Sequence, residues 1–391
     1  MKKNILKIVA ALAVVAFFSG VLVCAISYHR RSELSHMVGQ MILVGFRGTS
    51  PGDAAVKNLA ADIQSGKVGG VILFSVDVEK CREEGLSDLE LRTRTKSRNI
   101  IDVAQVKDLN ESLAAAASRG GRLPLLISID QEGGMVVRLK PEHGFDMIIP
   151  SAKNMSTMPL PEIRDLYFEF GMRLKKLGFN LCFAPCVDVD INPQSPVIGA
   201  LGRAFSADSR KVSAYAGVAA AGLHDADILS SYKHFPGHGS ASDDTHKGIA
   251  DVTNVWEECE LEPYQNIPNY TMVMVAHVVN GKFDADYPAS LSAKIINDLL
   301  RKKLGFNGVI ISDDLQMGAI YTRYGLSETL RLAIMAGNDI LLLGNNLKHT
   351  KDLGRIAHAK IMKMVENGQI SRARVKESYD RIKKMKENLR K

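Results

Sequence analysis

Eight short runs of aliphatic and β-branched residues recur along the chain, each bounded by glycine or polar residues. They occupy positions 40–45, 68–74, 123–129, 180–184, 228–232, 270–276, 308–311 and 339–343. A strand that is buried on both faces of a parallel sheet has this continuous apolar form. Amphipathic stretches with helical spacing lie between most runs, for example at 161–177 and 294–304. Eight such alternations predict an α/β fold built as a single (β/α)8 barrel of the TIM type.

The C-terminal part of the chain indicates how many domains to expect. A chain of 391 residues is long enough for two average domains or for one large barrel. Only helical patterns follow the eighth run, at 349–367 and 371–391. We therefore expect one barrel domain over 32–391, acting as a monomer. A stretch rich in charged residues at about 77–99 predicts a surface insertion after the second strand.

The first 31 residues predict a signal peptide or a membrane anchor. No charged residue occurs from 8 to 27, and a helix of that length spans roughly 30 Å, the thickness of a hydrocarbon core. Three interpretations of this segment remain open: an uncleaved membrane anchor, a signal peptide cleaved near the small-x-small triplet 25–27, and a lipid attached at Cys24. Each option predicts a periplasmic or secreted body, with a membrane tether through 8–27 if the segment is retained.

The charge distribution argues against a nucleic-acid partner. The formal net charge is +7, but five basic residues lie in the first 31 positions, where no acid occurs. The remainder carries 45 basic against 43 acidic residues. A nucleic-acid binder carries its positive excess on the folded body, where it neutralises phosphates. We therefore expect no such partner.

Ionisable residues directly follow four of the predicted strands. In chain order they are Asp130 after the third, Lys233 and His234 after the fifth, His277 after the sixth and Asp313 after the seventh. Because the carboxyl ends of all barrel strands meet at one rim, these side chains are expected to converge there as an active site. Asp313 is the better nucleophile by position, whereas Asp314 is expected to cap or pair locally.

The region after the fifth strand also allows a metal-dependent hydrolase. His234, His238, Asp244 and His246 have the composition of a metal site. Lys233 argues against this alternative, because it would place a cation beside the metal, and the chain has no His-x-His pair there. We expect no metal and no other cofactor.

Several of these residues belong to longer motifs. The motifs are Lys233-His234-Phe235-Pro236-Gly237-His238-Gly239 with Asp244-Thr245-His246, Ile129-Asp130-Gln131-Glu132-Gly133-Gly134 with Arg138, Phe183-Ala184-Pro185 with Asp188, and Ser312-Asp313-Asp314-Leu315-Gln316-Met317. In this order they resemble the β-N-acetylhexosaminidase branch of glycoside hydrolase family 3. The similarity extends from about residue 38 to residue 345.

The resemblance implies a retaining glycosidase that removes terminal β-linked N-acetylglucosamine, usually from peptidoglycan fragments such as muropeptides. Asp313 matches the nucleophile that forms a covalent glycosyl-enzyme. His246, on a mobile loop, matches the general acid and base, and Asp244 matches its partner. A histidine suits both proton transfers, because its ordinary pKa lies near 6.5.

The resemblance also assigns the residues that hold the terminal sugar. They are Asp130, Arg138, Arg203, Lys233 and His234. A carboxylate accepts hydrogen bonds from sugar hydroxyls, whereas arginine and lysine donate them. A non-catalytic glycan-binding protein would use the same residues, but the presence of Asp313, Asp244 and His246 argues against that reading.

Three positions depart from the family pattern. Met135 stands where the family usually has arginine, Thr245 where it has serine, and Ala250 where it has proline. Thr245 keeps the hydroxyl group, so we expect no effect there. The loss of proline is expected to loosen the loop, and the loss of arginine to alter the choice of leaving group.

Overall fold

The computed structural model describes residues 29–85, 97–121, 123–245, 248–268, 270–387 and 389. The predicted export or anchor segment 8–27 lies outside this part of the chain, and so does His246. Among the helices that the structure describes, none combines the length and the apolar character needed to cross a bilayer.

Eight parallel strands form the centre of the molecule. They are β1 (Ile42–Gly45), β2 (Gly70–Leu73), β3 (Leu126–Ile129), β4 (Leu181–Cys182), β5 (Leu229–Phe235), β7 (Thr271–Val275), β9 (Ile310–Ser312) and β10 (Leu341–Leu343). Their order in the sheet is β10-β1-β2-β3-β4-β5-β7-β9. A parallel bridge between Ile311 and Ile340 joins the two ends. The predicted α/β barrel is therefore confirmed. A two-stranded side sheet pairs β6 (Ala250–Asp251) with β8 (Val278–Val279).

Helices surround the strands. They are α1 (29–40), α2 (Ala54–Gln64), α3 (Val78–Glu83), α4 (Val103–Arg119), α5 (Ala152–Met155), α6 (Leu160–Lys176), α7 (Ser209–Asp225), α8 (Gly318–Ala336, interrupted at Gly325), α9 (Leu353–Glu366) and α10 (Arg372–Glu387). A 3₁₀-helix over Glu258–Tyr264 follows β6, and a π-helix over Lys294–Lys303 precedes β9. Asp102 starts α4 by accepting a hydrogen bond from the Gln105 amide, which satisfies one of the unpaired N–H groups of the first turn.

The strands are buried because the barrel interior covers one face and the helices cover the other. All seven residues of β5 are buried, including the charged Lys233. Its register with β7 shifts between Tyr232 and Phe235. Such an irregularity in a strand changes the direction of the side chains beside it. The pattern of continuous apolar runs follows from this two-sided cover.

The ends of the charged stretch 77–99 are buried, whereas the sequence predicts a surface insertion. Asp77, Arg98 and Asn99 are each at most 3% exposed. Asp77 lies 2.7 Å from Arg47 and 3.3 Å from Arg98. Burial lowers the pKa of Arg98 to about 10. These ion pairs attach both ends of the stretch to the barrel, and its middle, 86–96, lies outside the described residues.

The last helix closes the barrel at the amino ends of the strands. Lys386 of α10 is fully buried. Its Nζ donates to Gln40 Oε1 and to the Gly69 carbonyl oxygen, both at 2.7 Å. Since both acceptors are neutral, burial lowers the pKa of Lys386 to about 7. Helices α1 and α10 are thereby joined through one side chain.

Candidate active site

The predicted ionisable residues emerge at one rim of the barrel. Asp130 follows β3 directly, Lys233 lies within β5, and Asp313 follows β9. All the barrel strands are parallel, so these residues share the carboxyl ends of the sheet. Direct contact supports the convergence, because Lys233 Nζ lies 2.9 Å from Asp130 Oδ1.

A buried cluster of opposite charges lies at the centre of this rim. Lys233 Nζ is 2.6 Å from Glu132 Oε1. Arg203 donates to the same carboxylate through Nε at 2.8 Å and Nη2 at 2.7 Å. Burial by itself would raise the pKa of Glu132, but the charges of Arg203 and Lys233 outweigh burial and hold that pKa well below its usual range. Glu132 therefore stays ionised and fixes both cations.

Glu132 is a site residue that the sequence reasoning missed. The available signal was its place two residues after Asp130 in the third-strand motif. Arg203, which was predicted to hold sugar, uses three of its donors on the protein, because Nη1 also donates to the Val197 carbonyl at 2.8 Å.

Arg138 lies on the more open side of the cluster. Its Nη2 is 3.6 Å from Asp130 Oδ2, and the two side chains are 27% and 20% exposed. Asp130 thus stands between Arg138 and Lys233, with part of its surface open to solvent. Asp130 therefore contacts both Arg138 and Lys233, and the role of these three residues in holding a sugar stays a prediction.

His234 is held by a second buried acid, Asp188. Its Nδ1 lies 2.6 Å from Asp188 Oδ2. Burial would raise the pKa of Asp188, but the interaction with His234 outweighs burial and keeps that pKa well below its usual range. On the other side of the ring, Nε2 is 3.4 Å from Arg203 Nη2. The structure therefore brings all five predicted sugar-binding residues into one region and adds Glu132 and Asp188 behind them.

Asp313 and Asp314 are adjacent in the loop after β9 but have different surroundings. Asp314 Oδ1 accepts from the backbone amide of Gln316 at 3.0 Å, which is the predicted local pairing, and from that of Gly344, farther along the chain, at 2.8 Å. Asp313 is half-buried at the strand end, and its amide donates to the Val275 carbonyl at 3.0 Å.

His277 supports this loop from the neighbouring strand. Its Nε2 lies 2.9 Å from the Asp314 carbonyl oxygen, which can only accept, so Nε2 donates. Its Nδ1 lies 2.7 Å from the Ser290 hydroxyl, which donates to Nδ1 when the ring is neutral. His277 is at the rim as predicted, and these bonds give it a role in holding the backbone that carries Asp313.

The loop that follows β5 is attached firmly at its base. Trp256 Nε1 donates to the Pro236 carbonyl at 3.0 Å, and the Gly239 amide donates to Glu260 Oε2 at 3.1 Å. A Cβ at position 239 would lie 1.7 Å from the Val189 carbonyl oxygen, so only glycine fits. His238 is buried, which lowers its pKa to about 4, and its Nε2 lies 3.4 Å from Thr245 Oγ1.

The far end of this loop carries the predicted acid and base. Asp244 is half-buried and Thr245 is buried. His246 lies outside the described residues, so its position relative to Asp313 stays a prediction. The departure at Thr245 is compatible with the loop, because the hydroxyl group contacts His238.

The alternative metal site gains no support from the described residues. The rings of His234 and His238 lie 5.8 Å apart, but among the described residues these two do not form a group of ligand atoms within 4.8 Å together with Asp244. In the part of the chain that the structure describes, the three side chains whose possible metal-ligand atoms lie within 4.8 Å of one another are those of Cys186, Asp188 and His234. The closest pair of these atoms, the imidazole nitrogen and the carboxylate oxygen, is a 2.6 Å hydrogen bond. Two such ligands around one tetrahedral zinc ion would be about 3.3 Å apart.

Comparison with known proteins identifies the family. The model of the glycosyl hydrolase family 3 N-terminal domain matches residues 33–385. β-Hexosaminidase LpqI of Mycobacterium tuberculosis is 34% identical over 360 residues, covering 89% of this chain and 81% of the relative.

Two solved structures agree with this assignment. A family 3 β-N-acetylglucosaminidase from Paenibacillus has a TM-score of 0.78 at 32% identity, covering 91% of this chain and 62% of that one. The structure of M. tuberculosis LpqI has a TM-score of 0.72 at 31% identity, covering 90% and 93%. The chain therefore belongs to glycoside hydrolase family 3, as the motifs indicated, and is a glycoside hydrolase of the β-hexosaminidase type.

Proposed function

We propose that the enzyme is a retaining exo-β-N-acetylglucosaminidase acting on peptidoglycan-type glycans. The observation that carries this proposal is the rim cluster in which Lys233 contacts Asp130 at 2.9 Å and Glu132 at 2.6 Å. It offers one partly open carboxylate beside fixed cationic donors, and a sugar needs both because each hydroxyl donates and accepts. The relatives described above are a β-hexosaminidase and a β-N-acetylglucosaminidase, which favours this sugar.

The proposed first step forms a covalent glycosyl-enzyme. A carboxylate oxygen of Asp313 attacks the anomeric carbon while the bond to the leaving oxygen breaks. Protonated His246 donates its proton to that oxygen, so the leaving group departs as a neutral alcohol. Asp244, two residues earlier in the chain, favours the protonated ring and orients it.

The second step releases the sugar. Neutral His246 accepts a proton from water, the water oxygen attacks the anomeric carbon, and the bond to Asp313 breaks. The carboxylate and the protonated imidazole are both restored. Two successive inversions at the same carbon retain the β configuration.

The glycan source is proposed from the N-terminal segment. An export or anchor segment over 8–27 would place the barrel outside the inner membrane, where peptidoglycan and its muropeptide fragments are accessible. The substrate is therefore proposed as a glycan or muropeptide with a terminal N-acetylglucosamine.

The experiment uses the purified full-length protein with a defined muropeptide and with an aryl β-N-acetylglucosaminide. We expect release of N-acetylglucosamine from both, with the β anomer appearing first by NMR. The matched aryl β-glucoside, which lacks the N-acetyl group, should be a much poorer substrate. Binding without release would favour a glycan-binding protein, and loss of activity on chelation would favour a metal-dependent hydrolase.

Replacement of the nucleophile gives the sharpest check of the mechanism. Asp313→Ala should reduce turnover of the aryl substrate by at least about 10⁴-fold, because no other group forms the covalent intermediate. Azide, a small anion that fits where the carboxylate was, should restore release of the aryl group and give the α-glycosyl azide. Undiminished turnover in Asp313→Ala would rule out this assignment.

A further inference from the structure

We propose that Asp188 is a positioning residue that holds His234 in the tautomer protonated on Nδ1, so that Nε2 faces the sugar pocket as a hydrogen-bond acceptor. This inference rests on the proposed function, because it concerns a residue assigned there to sugar binding. It adds a residue that acts on the substrate only through another side chain.

Asp188 lies at the centre of four donors. The carboxylate is 1% exposed. It is approached by His234 Nδ1 at 2.6 Å, by the His234 amide at 3.2 Å, by the His238 amide at 2.8 Å and by Cys186 Sγ at 3.2 Å. An ionised carboxylate can only accept hydrogen bonds. The hydrogen bond at 2.6 Å therefore requires a proton on Nδ1 of His234.

The opposite nitrogen faces a group that can only donate. Arg203 Nη2 lies 3.4 Å from His234 Nε2, and a guanidinium has no acceptor. Arg203 cannot turn away, because Glu132 binds its Nε and Nη2, and the Val197 carbonyl binds its Nη1. A proton on Nε2 would place two donors against each other. This arrangement favours the neutral ring with its lone pair on Nε2.

This tautomer explains what His234 contributes to sugar binding. The rim presents cationic donors in Lys233 and Arg203, and a sugar hydroxyl that accepts from them must still donate its own proton. The separation of 3.4 Å between Arg203 Nη2 and His234 Nε2 is long for a hydrogen bond. The lone pair on Nε2 can therefore accept a hydrogen bond from the sugar hydroxyl. His234 thus provides an acceptor beside the donors.

The change Asp188→Asn should reverse the tautomer. Both backbone amides, of His234 and His238, donate to Oδ1 of Asp188. The amide oxygen of asparagine would take that place, because it is the only acceptor on the new side chain. Its NH₂ group would then face Nδ1 and donate to it. The ring proton would move to Nε2, where it meets Arg203 and closes the acceptor to the sugar.

The kinetic test compares Asp188→Asn with Asp190→Asn. Asp190 lies two residues further along the same loop and is half-buried, and its Oδ1 has no hydrogen-bond partner within the described residues. We expect Asp188→Asn to lower kcat/KM for the aryl β-N-acetylglucosaminide by about 30-fold or more. KM should rise more than kcat falls, because the sugar makes this bond before the transition state as well. Asp190→Asn should stay within about twofold of the wild type.

The second readout observes the tautomer directly. Histidines are labelled with ¹⁵N, and the His234 signals are assigned as those lost in His234→Gln. The wild type should show a protonated Nδ1 and an unprotonated Nε2, a result that does not depend on how well Asp188→Asn folds. Asp188→Asn should show the reverse, with a thermal unfolding curve to confirm that it is folded.

Three results would overturn the proposal. They are a protonated Nε2 in wild-type His234, an unchanged tautomer in folded Asp188→Asn, and equal kinetics of Asp188→Asn and Asp190→Asn. Failure of the proposed function is a different result, since the wild type would then release no N-acetylglucosamine whatever its His234 tautomer.

Discussion

Replacing Glu132 by glutamine keeps the side-chain shape and removes one buried negative charge between two cations. Glu132 is 6% exposed, and its partners Arg203 and Lys233 are 12% and 3% exposed. The new amide has one acceptor oxygen where the carboxylate had two, and its NH₂ group would face a cationic donor. Removing one partner of a buried ion pair costs about 3–5 kcal/mol, because the remaining charge stays buried without compensation. We expect Glu132→Gln to lower the free energy of unfolding by this amount.

The chain contains a matched control on its surface. Arg331 donates to Glu328 through Nε at 2.8 Å and Nη2 at 2.6 Å, almost the geometry of Arg203 with Glu132. The two side chains, however, are 32% and 45% exposed. Water replaces the lost contact at such a site, so Glu328→Gln should cost less than about 1 kcal/mol.

The assay is thermal unfolding at pH 7. At about 2.1 cal/mol/K of unfolding entropy per residue over about 350 residues, 3–5 kcal/mol corresponds to a Tm lower by about 4–7 °C. Glu328→Gln should lower Tm by about 1 °C. Folding lowers the pKa of Glu132. The ionised side chain therefore contributes its full stabilisation at pH values above the unfolded-state pKa, and this contribution is lost as the pH falls towards the folded-state pKa. The gap between wild type and Glu132→Gln should narrow in acid, and equal Tm shifts for the two variants at pH 7 would refute the burial argument.

Two further predictions concern the general acid and the closure of the barrel. His246→Ala should lose most activity on glycosides with poor leaving groups and least on activated aryl glycosides, because an activated leaving group needs less proton donation; equal losses on both would contradict the assigned role. Lys386→Met should change how stability depends on pH. Folding lowers the pKa of Lys386 from 10.5 to about 7, so between these values the unfolded chain binds more protons, and wild-type stability should rise by about 2 kcal/mol from pH 7 to pH 9 relative to Lys386→Met. Urea unfolding at the two pH values measures this difference, and parallel pH profiles would contradict it.

The barrel was predictable because its strands are covered on both faces. Each predicted run overlaps an observed strand, and the amphipathic stretches 161–177 and 294–304 coincide with α6 and the π-helix. The largest difference lies in the fifth strand, predicted at 228–232 but observed over Leu229–Phe235. A lysine normally indicates the end of a buried strand. Lys233 remains inside because Asp130, 103 residues earlier in the chain, and Glu132 compensate its charge.

The candidate site also contains residues that the sequence could predict and residues that it could not. Its candidate sugar-binding residues could be named from strand ends and motifs, because a parallel barrel brings every carboxyl end to one rim. The supporting role of the acids Glu132 and Asp188 could not be recognised, because their places in the third-strand and fourth-strand motifs do not show which side chains they contact. Their partners, Arg203 and His234, come from other segments of the chain.

Hydrophobic periodicity is a local property, and it was sufficient to indicate which segments become strands, how many there are and which residues reach the rim. Ion pairing is a property of distance in space. Only the closed barrel brings Arg203 to Glu132 and His234 to Asp188, because segments far apart in the chain become neighbours when the strands pair. The arrangement that keeps two cations and one imidazole in fixed orientations at the candidate sugar site was therefore decided by the tertiary structure.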